Sequence, residues 1–350
     1  MKAVRLKRKG LVAIDDIATP VPGEGEVLLR VLAAGVCRTD CHIRAHPFAT
    51  PDDTTLGHEI AGEVAALGSG VVGWEHGDRV VVHPCWACHA CAQCRAGREN
   101  YCQGHGMQRV PPPTPGVTRD GGMAEYAVVP ANALVSIGDL DPAFAAILAD
   151  AGLAPYHSVR LLRERLDPGA CALVIGLGGL GQFAVQLLKI LTPAKVIAVD
   201  IADAPLAAAR AAGADIAIRV DKQGVADELL AQTGGAGFAG IIDFVGTDET
   251  LRLAASVLAP FGAIQAVGLS GGNIPFEAAD ISTIGLPWGA SLMKPYSGSY
   301  RDLADVIALA QAGRLQPNIE LFSLDQAITA LDRLESGSIS GRAVLVPATA

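Results

Sequence analysis

Cys171-Ala-Leu-Val-Ile-Gly-Leu-Gly-Gly-Leu-Gly-Gln-Phe-Ala-Val-Gln-Leu-Leu-Lys-Ile-Leu191 joins an apolar strand to a helix through Gly176, Gly178 and Gly181. In this G-x-G-x-x-G turn, Gly176 allows the sharp bend and Gly178 lets a pyrophosphate approach the backbone. Gly181 lets the helix pack closely on the sheet, and the phosphates then lie on the positive end of the helix dipole. Such a motif alone is often only a glycine-rich turn. Here strand Ala172–Ile175 precedes it, helix Leu180–Leu191 follows, and Asp200 closes the next strand 24 residues after Gly176. A carboxylate at that strand end binds both adenosine ribose hydroxyls and repels a 2′-phosphate, so the pattern predicts NAD in preference to NADP.

The same alternation continues downstream. Strand Val196–Val199 leads to an alanine-rich helix near Pro205–Ala212, and strands near Ile241–Val245 and Ala263–Gly268 extend the series. Nearly all-apolar strands alternating with helices imply a parallel sheet covered on both faces. Helices at Tyr300–Ala312 and Leu324–Ser336 and a strand at Arg342–Val346 end the chain. Upstream the texture is different. Short apolar runs such as Glu26–Leu32, Asp78–His83 and Ala124–Val129 are punctuated by Pro22-Gly-Glu-Gly25 and Asp120-Gly-Gly122, which suggests a compact β-barrel. The expected fold class is therefore α/β: a doubly wound parallel sheet plus a β-barrel domain.

At 350 residues the chain is long enough for two domains. With 18% charged residues it is globular, and its net charge of −9 without a basic block argues against nucleic acid or an anionic membrane. The uncharged run Pro168–Leu188 imitates a membrane span, but glycines and glutamines interrupt it. The basic N-terminus imitates a signal peptide, but its apolar stretch Leu11–Ile14 ends at Asp15–Asp16. A cytoplasmic protein is expected.

Five of the eight cysteines, Cys85, Cys88, Cys91, Cys94 and Cys102, crowd one segment; the others are Cys37, Cys41 and Cys171. That density reads as a closed tetrahedral zinc site stapling a loop, and not as a disulfide framework. Five thiols compete for four places, so two registers remain open: Cys88 to Cys102, or Cys85 to Cys94. Cys37-Arg-Thr-Asp-Cys-His42 and Gly57-His-Glu59 could supply a thiolate and an imidazole to an open catalytic zinc, though each alone is bland.

Gly57-His-Glu-x2-Gly62-x5-Gly68-x2-Val71 resembles the zinc signature of the medium-chain alcohol dehydrogenases. Cys37-Arg-Thr-Asp40, the four-cysteine lobe, the glycine turn and the final Gly341-Arg342 follow in family order along essentially the whole chain. The stretch Ala149–His157 is most similar to bacterial NAD-dependent secondary- and aryl-alcohol dehydrogenases. The resemblance implies a GroES-like catalytic domain over 1–153, a Rossmann NAD-binding domain over 154–290, and a C-terminal return to the first domain over 291–350, with the active site in the cleft between them. It implies two zinc ions per chain. Cys37, His58 and Asp150 would hold the catalytic ion, with Glu59 as an alternate ligand and Asp40 orienting His58. Cys88, Cys91, Cys94 and Cys102 would hold the structural ion, with Cys85 spare. Arg38 and Arg342 would bind the pyrophosphate, while Gly176, Gly178, Gly179, Leu180, Gly181, Asp200 and Val267 would complete the cofactor contacts.

By the same resemblance, Thr39 takes the alcohol's proton, which the nicotinamide ribose and His42 pass to solvent. Phe48, His83, Trp86, Met107 and Met123 would line a pocket for an apolar or aromatic alcohol. Asp150 stands where many relatives have cysteine, which makes the site harder. Ala154 and Pro205 also depart from common family residues near the cofactor. A relative acting on a semialdehyde or polyol is the rival enzyme, and a silent zinc- and dinucleotide-binding protein the rival outside catalysis. The apolar segment Ile284–Leu292 with Trp288 resembles the strand that pairs family subunits, so a homodimer or homotetramer is expected.

Overall fold

The computed structural model describes residues 1–46, 50–105, 111–220, 224–274 and 285–348. It divides into two compact units, Met1–Leu153 with Ser297–Ala350, and Ala154–Tyr296.

The first unit is built on a seven-stranded sheet. Its order is Ile319–Ser323, Arg342–Val346, Glu26–Val36, Glu59–Leu67, Arg79–Val82 and Leu134–Ser136, with Tyr126–Pro130 also pairing on Glu26–Val36. All pairings are antiparallel except that of the two C-terminal strands. Glu26–Val36 shows why: residues alternate between buried and half-buried up to Ala33, and then Ala34, Gly35 and Val36 are all buried. The alternating half faces a core on one side only, and the continuous half is covered on both. The central core holds Leu29, Val31, Ile60, Val80 and Leu345.

The second unit is a six-stranded, wholly parallel sheet. Its strands run Ile216–Arg219, Lys195–Asp200, Cys171–Ile175, Phe238–Asp243, Leu258–Ala266 and Ser291–Met293. In chain order this is 3-2-1-4-5-6, the dinucleotide-binding order, with its switch point between Cys171–Ile175 and Phe238–Asp243. Every residue of Cys171–Ile175 is buried, as its unbroken apolar run requires. Ser291–Met293 corrects the expected boundary at 290. Its parallel register with Ala263–Gln265 makes it the edge strand of the second sheet, and the chain returns to the first unit only at Ser297. Three residues carry too little periodicity to reveal a partner strand.

Candidate metal and dinucleotide sites

The first unit gathers two clusters of metal-ligating side chains. In each, one donor atom per residue lies within 4.8 Å of all the others. One is Cys88, Cys91, Cys94 and Cys102; the other is Cys37, His58, Glu59 and Asp150.

In the lobe, the sulfurs of Cys91 and Cys94 are 3.5 Å apart, those of Cys88 and Cys94 4.0 Å, and those of Cys91 and Cys102 4.0 Å. Zinc–sulfur bonds of about 2.3 Å in a tetrahedron require sulfur separations of about 3.8 Å, so the donor set fits zinc. Backbone N–H groups of Cys88 and Gly104 donate to Cys102 Sγ, and that of Gln103 donates to Cys91 Sγ. Hydrogen bonds from the backbone, Cys94 first, hold the Cys91 thiol down at about 6. Gly104 must lack a side chain, because a Cβ there would lie 2.3 Å from Cys88 Sγ. Cys85 stays outside the cluster, buried, its thiol pushed up to about 12 by burial.

The second cluster is assembled from four places in the chain. Cys37 caps helix Arg38–Ala45, and its N–H donates to Asp40 Oδ2 at 2.8 Å. Glu59 opens strand Glu59–Leu67, and His58 immediately precedes it. Asp150 sits in a one-turn π-helix, Leu148–Gly152, which interrupts the helical path after Pro142–Ile147. Wider turns of this kind recur at functional sites because they re-aim one side chain. Cys37 Sγ is 3.2 Å from Asp150 Oδ2, and His58 Nε2 is 3.7 Å from the same oxygen.

Glu59 and Arg342 form a buried ion pair beside these donors. Register explains it: Gly35 stands opposite Glu59, and Ala343 stands opposite Val36, so Arg342 reaches Glu59 from two strands away. Gly35 leaves the necessary gap, since a Cβ there would lie 1.8 Å from Glu59 Oε2. The resemblance implies Arg342 as a pyrophosphate contact; here its Nη2 donates to Glu59 Oε1. Gly35 was missed, although a glycine inside a strand pattern is a known sign of close approach.

Electrostatically the cluster is short of positive charge. Burial raises Glu59 to about 7 despite Arg342. Burial works to raise Asp150 too, but the hydrogen bond and charge of His58 hold it down at about 2. Burial and the Asp150 charge push the Cys37 thiol up. Three buried atoms, Asp40 Oδ1, His58 Nδ1 and Glu59 Oε2, have no hydrogen-bond partner. One sulfur, one imidazole nitrogen and carboxylate oxygens around unsatisfied polar atoms are a donor set suited to a divalent transition metal. With Nε2 on the metal, His58 Nδ1–H would turn to Asp40 Oδ1, 3.9 Å away.

Thr39 Oγ1 lies 3.6 Å from Cys37 Sγ. His42 follows three residues later on the same helix and is half-buried, so the two share one face. Arg38 is exposed, with Nη1 donating to the Glu335 carbonyl.

Among the described residues, three of the proposed pocket residues can be placed. Phe48 and Met107 lie outside the described residues. Met123 is fully buried in the first unit's core, against Gly57. His83 has both ring nitrogens at backbone carbonyls, Cys85 at 3.2 Å and Gly298 at 2.9 Å, so its polar edge is consumed. Trp86 packs on the core and lines a cavity of ≈ 310 Å³ with Met1, Ile17 and Tyr126. An apolar residue next to a site motif is as readily core filling as pocket wall, and spacing does not separate the two.

In the second unit, Gly176 adopts φ 85, where other residues are strained. A Cβ on Gly181 would lie 2.0 Å from the Gly176 carbonyl oxygen, whereas one on Gly178 would meet nothing within 4 Å. The open space therefore falls at the glycine where a pyrophosphate would sit. Gly178 caps helix Gly179–Leu191 without a side-chain hydrogen bond, leaving the first-turn N–H groups of Gly179 and Leu180 facing that space. Asp200 Oδ2 accepts from Leu177 N at 2.7 Å and Oδ1 from Ala202 N at 3.1 Å. Each oxygen retains a further acceptor site for a ribose hydroxyl. Val267 follows strand Leu258–Ala266 at the same carboxyl edge, its N–H bonded to Asp243 O. A cavity of ≈ 280 Å³ opens beside it, lined by Gly246, Ala266, Gly268 and Met293. The buried Asp243 carboxylate shapes that rim by accepting from Val245 N, Gly246 N and the Thr250 hydroxyl, a role the sequence did not disclose. The residues present thus fit a dinucleotide.

Residues 23–139 match the alcohol dehydrogenase GroES-like domain, and residues 179–311 match the zinc-binding dehydrogenase family. An NAD-dependent alcohol dehydrogenase from Sulfurisphaera tokodaii is 35% identical over 360 residues, covering 99% of this chain and 100% of its own. Among solved structures, the alcohol dehydrogenase of Aeropyrum pernix superposes with a TM-score of 0.90 at 33% identity, over 99% of this chain and 100% of that one. The acetophenone reductase of Geotrichum candidum, solved in complex with NAD, superposes with a TM-score of 0.87 at 29% identity, over 99% and 96%.

Proposed function

Because the chain belongs to the zinc-type medium-chain alcohol dehydrogenases, we propose that it interconverts an apolar or aromatic alcohol and its aldehyde or ketone, with NAD as hydride partner. The observation that carries this reading is the convergence of Cys37, His58, Glu59 and Asp150 beside Thr39, on a chain that also bears the glycine turn and Asp200. The likeness to an acetophenone reductase supports an aromatic substrate.

Cys37, His58 and Asp150 would hold a zinc ion, which would supply Lewis-acid polarisation of the substrate oxygen, while the glycine turn and Asp200 would hold NAD, which would supply the hydride acceptor. The chain's own residues do the rest. Thr39 accepts the proton leaving the substrate hydroxyl while giving up its own through the nicotinamide ribose hydroxyl to His42, which, one turn further and half-buried, releases it towards solvent. Asp40 keeps His58 in the tautomer that presents Nε2. Glu59 is held back by Arg342 and supplies a further oxygen donor. Asp200 accepts the ribose hydroxyls while steadying the glycine turn through Leu177. Cys88, Cys91, Cys94 and Cys102 would hold a second zinc, which would staple their loop.

We read the working particle as a homodimer or a homotetramer built from two such dimers. The strand Ser291–Met293 is a sheet edge with Leu292 and Met293 half exposed, and Trp288 beside it is 85% exposed. Light scattering returning a monomer at micromolar concentration would contradict this. Eight unpaired cysteines suit the reducing cytoplasm. The functional test is NAD reduction across primary, secondary and aryl alcohols, with zinc measured on the same sample. Turnover of aryl and secondary alcohols with two zinc ions per chain is expected; no turnover in a fully loaded sample refutes the reading.

A further inference from the structure

Helix Arg38–Ala45 carries both Thr39 and His42, and it is held differently at its two ends. Its first turn is locked from within by the Cys37 N–H bond to Asp40 Oδ2. The remainder is held from outside, by helix Ala327–Glu335 packed against it. Arg38 Nη1 donates to the Glu335 carbonyl at 3.3 Å, Cys41 Sγ to the Leu331 carbonyl at 3.8 Å, and Arg44 Nη1 to Asp332 Oδ1 at 2.6 Å. Arg44 Nη2 also pairs with Glu335 Oε2. Arg38, Cys41 and Arg44 follow one another at steps of three and form a docking stripe, next to the face that Thr39 and His42 share. Burial pushes the Cys41 thiol up to about 11, so it stays protonated and able to donate. The turn Arg8–Gly10 backs the far end: a Cβ on Gly10, at φ 74, would lie 2.0 Å from the Arg44 carbonyl oxygen.

We infer that Arg44 is a positioning residue for proton release, acting by fixing the last turn of the helix that carries His42. The inference rests on the relay reading given above. A helix of two turns does not hold its own shape in water and takes it from its neighbours. Ile43 seats this one on the core, but apolar contact is not directional and leaves its rotation free. Of the three stripe residues, Arg38 and Cys41 make one long bond each, the second from a weak thiol donor. Arg44 engages two side chains of the facing helix by charge-assisted bonds, with only 21% of its own side chain exposed. Its removal leaves the first turn pinned by Cys37 and Asp40 and the turn containing His42 without its polar anchor. Thr39 and Cys37 then keep their places, while the His42 imidazole loses its fixed distance from Thr39. Ion pairs this near the surface contribute little to overall stability, so the effect falls on placement and not on folding. Proton transfer is sensitive to that placement, because each step needs its heavy atoms within hydrogen-bond reach.

The test compares the unmodified protein, Arg44→Gln, Arg44→Lys, His42→Gln, and Arg44→Gln combined with His42→Gln, all loaded with zinc. Two quantities are read: single-turnover NAD reduction by one alcohol at neutral pH, and amide hydrogen exchange over residues 41–46. Arg44→Gln should slow the single turnover by at least about tenfold, while zinc content and the KM values for NAD and alcohol move by less than about twofold. Amide exchange over 41–46 should quicken by at least about tenfold in the same variant. Lysine, which still pairs with either carboxylate, should restore both readings. In the His42→Gln background, Arg44→Gln should cost less than about twofold further, because a residue acting through His42 has nothing left to position. An equal loss in the two backgrounds, or unchanged exchange over 41–46, overturns the inference and leaves the relay reading intact. A His42→Gln protein as fast as the parent would instead overturn the relay reading, and the inference with it.

Discussion

Arg342 donates to Glu59 inside the first unit, two residues 283 positions apart in the chain and joined over a glycine. Neither partner is solvated: Glu59 is fully buried and Arg342 is 5% exposed. Breaking one side of such a pair leaves a buried charge without compensation, at a cost of about 3–5 kcal/mol. The pair places a carboxylate beside the metal donors without leaving it an uncompensated anion.

Gly35→Ala tests the gap. The new Cβ would collide with Glu59 Oε2 and drive the carboxylate off Arg342. Urea unfolding should show a loss of about 3 kcal/mol. Metal analysis should show a weakened catalytic site with the lobe zinc retained. A variant as stable as the parent would mean that Glu59 has another place to go.

Cys94→Ser should reduce zinc from two ions to one per chain and lower Tm. A structural metal contributes folding free energy directly, and a loss of about 2 kcal/mol moves Tm by about 4–8 °C in domains of this size. Turnover per remaining folded molecule should change much less. Equal metal content in variant and parent would exclude Cys94 as a ligand.

Asp200→Asn keeps the size of the side chain and removes its charge. Hydrogen bonds to a charged group are worth about 1.5–3 kcal/mol, so kcat/KM with NAD should fall by about tenfold to a hundredfold. The parent's preference for NAD over NADP should shrink with it. Because Asp200 also accepts from Leu177 N, part of the loss should appear with both dinucleotides. A variant with undiminished NAD preference would remove Asp200 from the ribose.

His83 gives a pH signature. Burial lowers its pKa below the ordinary imidazole value of about 6.5, although the Gly298 and Cys85 carbonyls favour its cation. The unfolded chain therefore takes up a proton first as pH falls. Stability from this group is complete above about 6.5 and declines as pH drops from there towards the lowered native value. His83→Gln should flatten that part of the curve while costing about 1 kcal/mol in hydrogen bonding at neutral pH. Denaturation midpoints between pH 5 and 8 decide it: an unchanged slope excludes His83 as its source.

The amino-acid sequence by itself determined whatever is encoded over short distances. The glycine turn with Asp200, the apolar strands alternating with helices, and the crowded cysteines are each read within a few tens of residues. Their meaning follows from backbone geometry or ligand count. Tertiary structure alone decided what depends on which strand lies beside which. The register that sets Gly35 opposite Glu59 also brings Arg342 to that carboxylate. The π-turn that aims Asp150, the two carbonyls that occupy His83, and the core that encloses Met123 are of the same kind. So is the edge strand Ser291–Met293, whose three residues acquire an identity only from the strand they pair with. A side chain's neighbours are set by hydrogen-bond register and packing summed over the whole sheet, and no local stretch of sequence contains that sum.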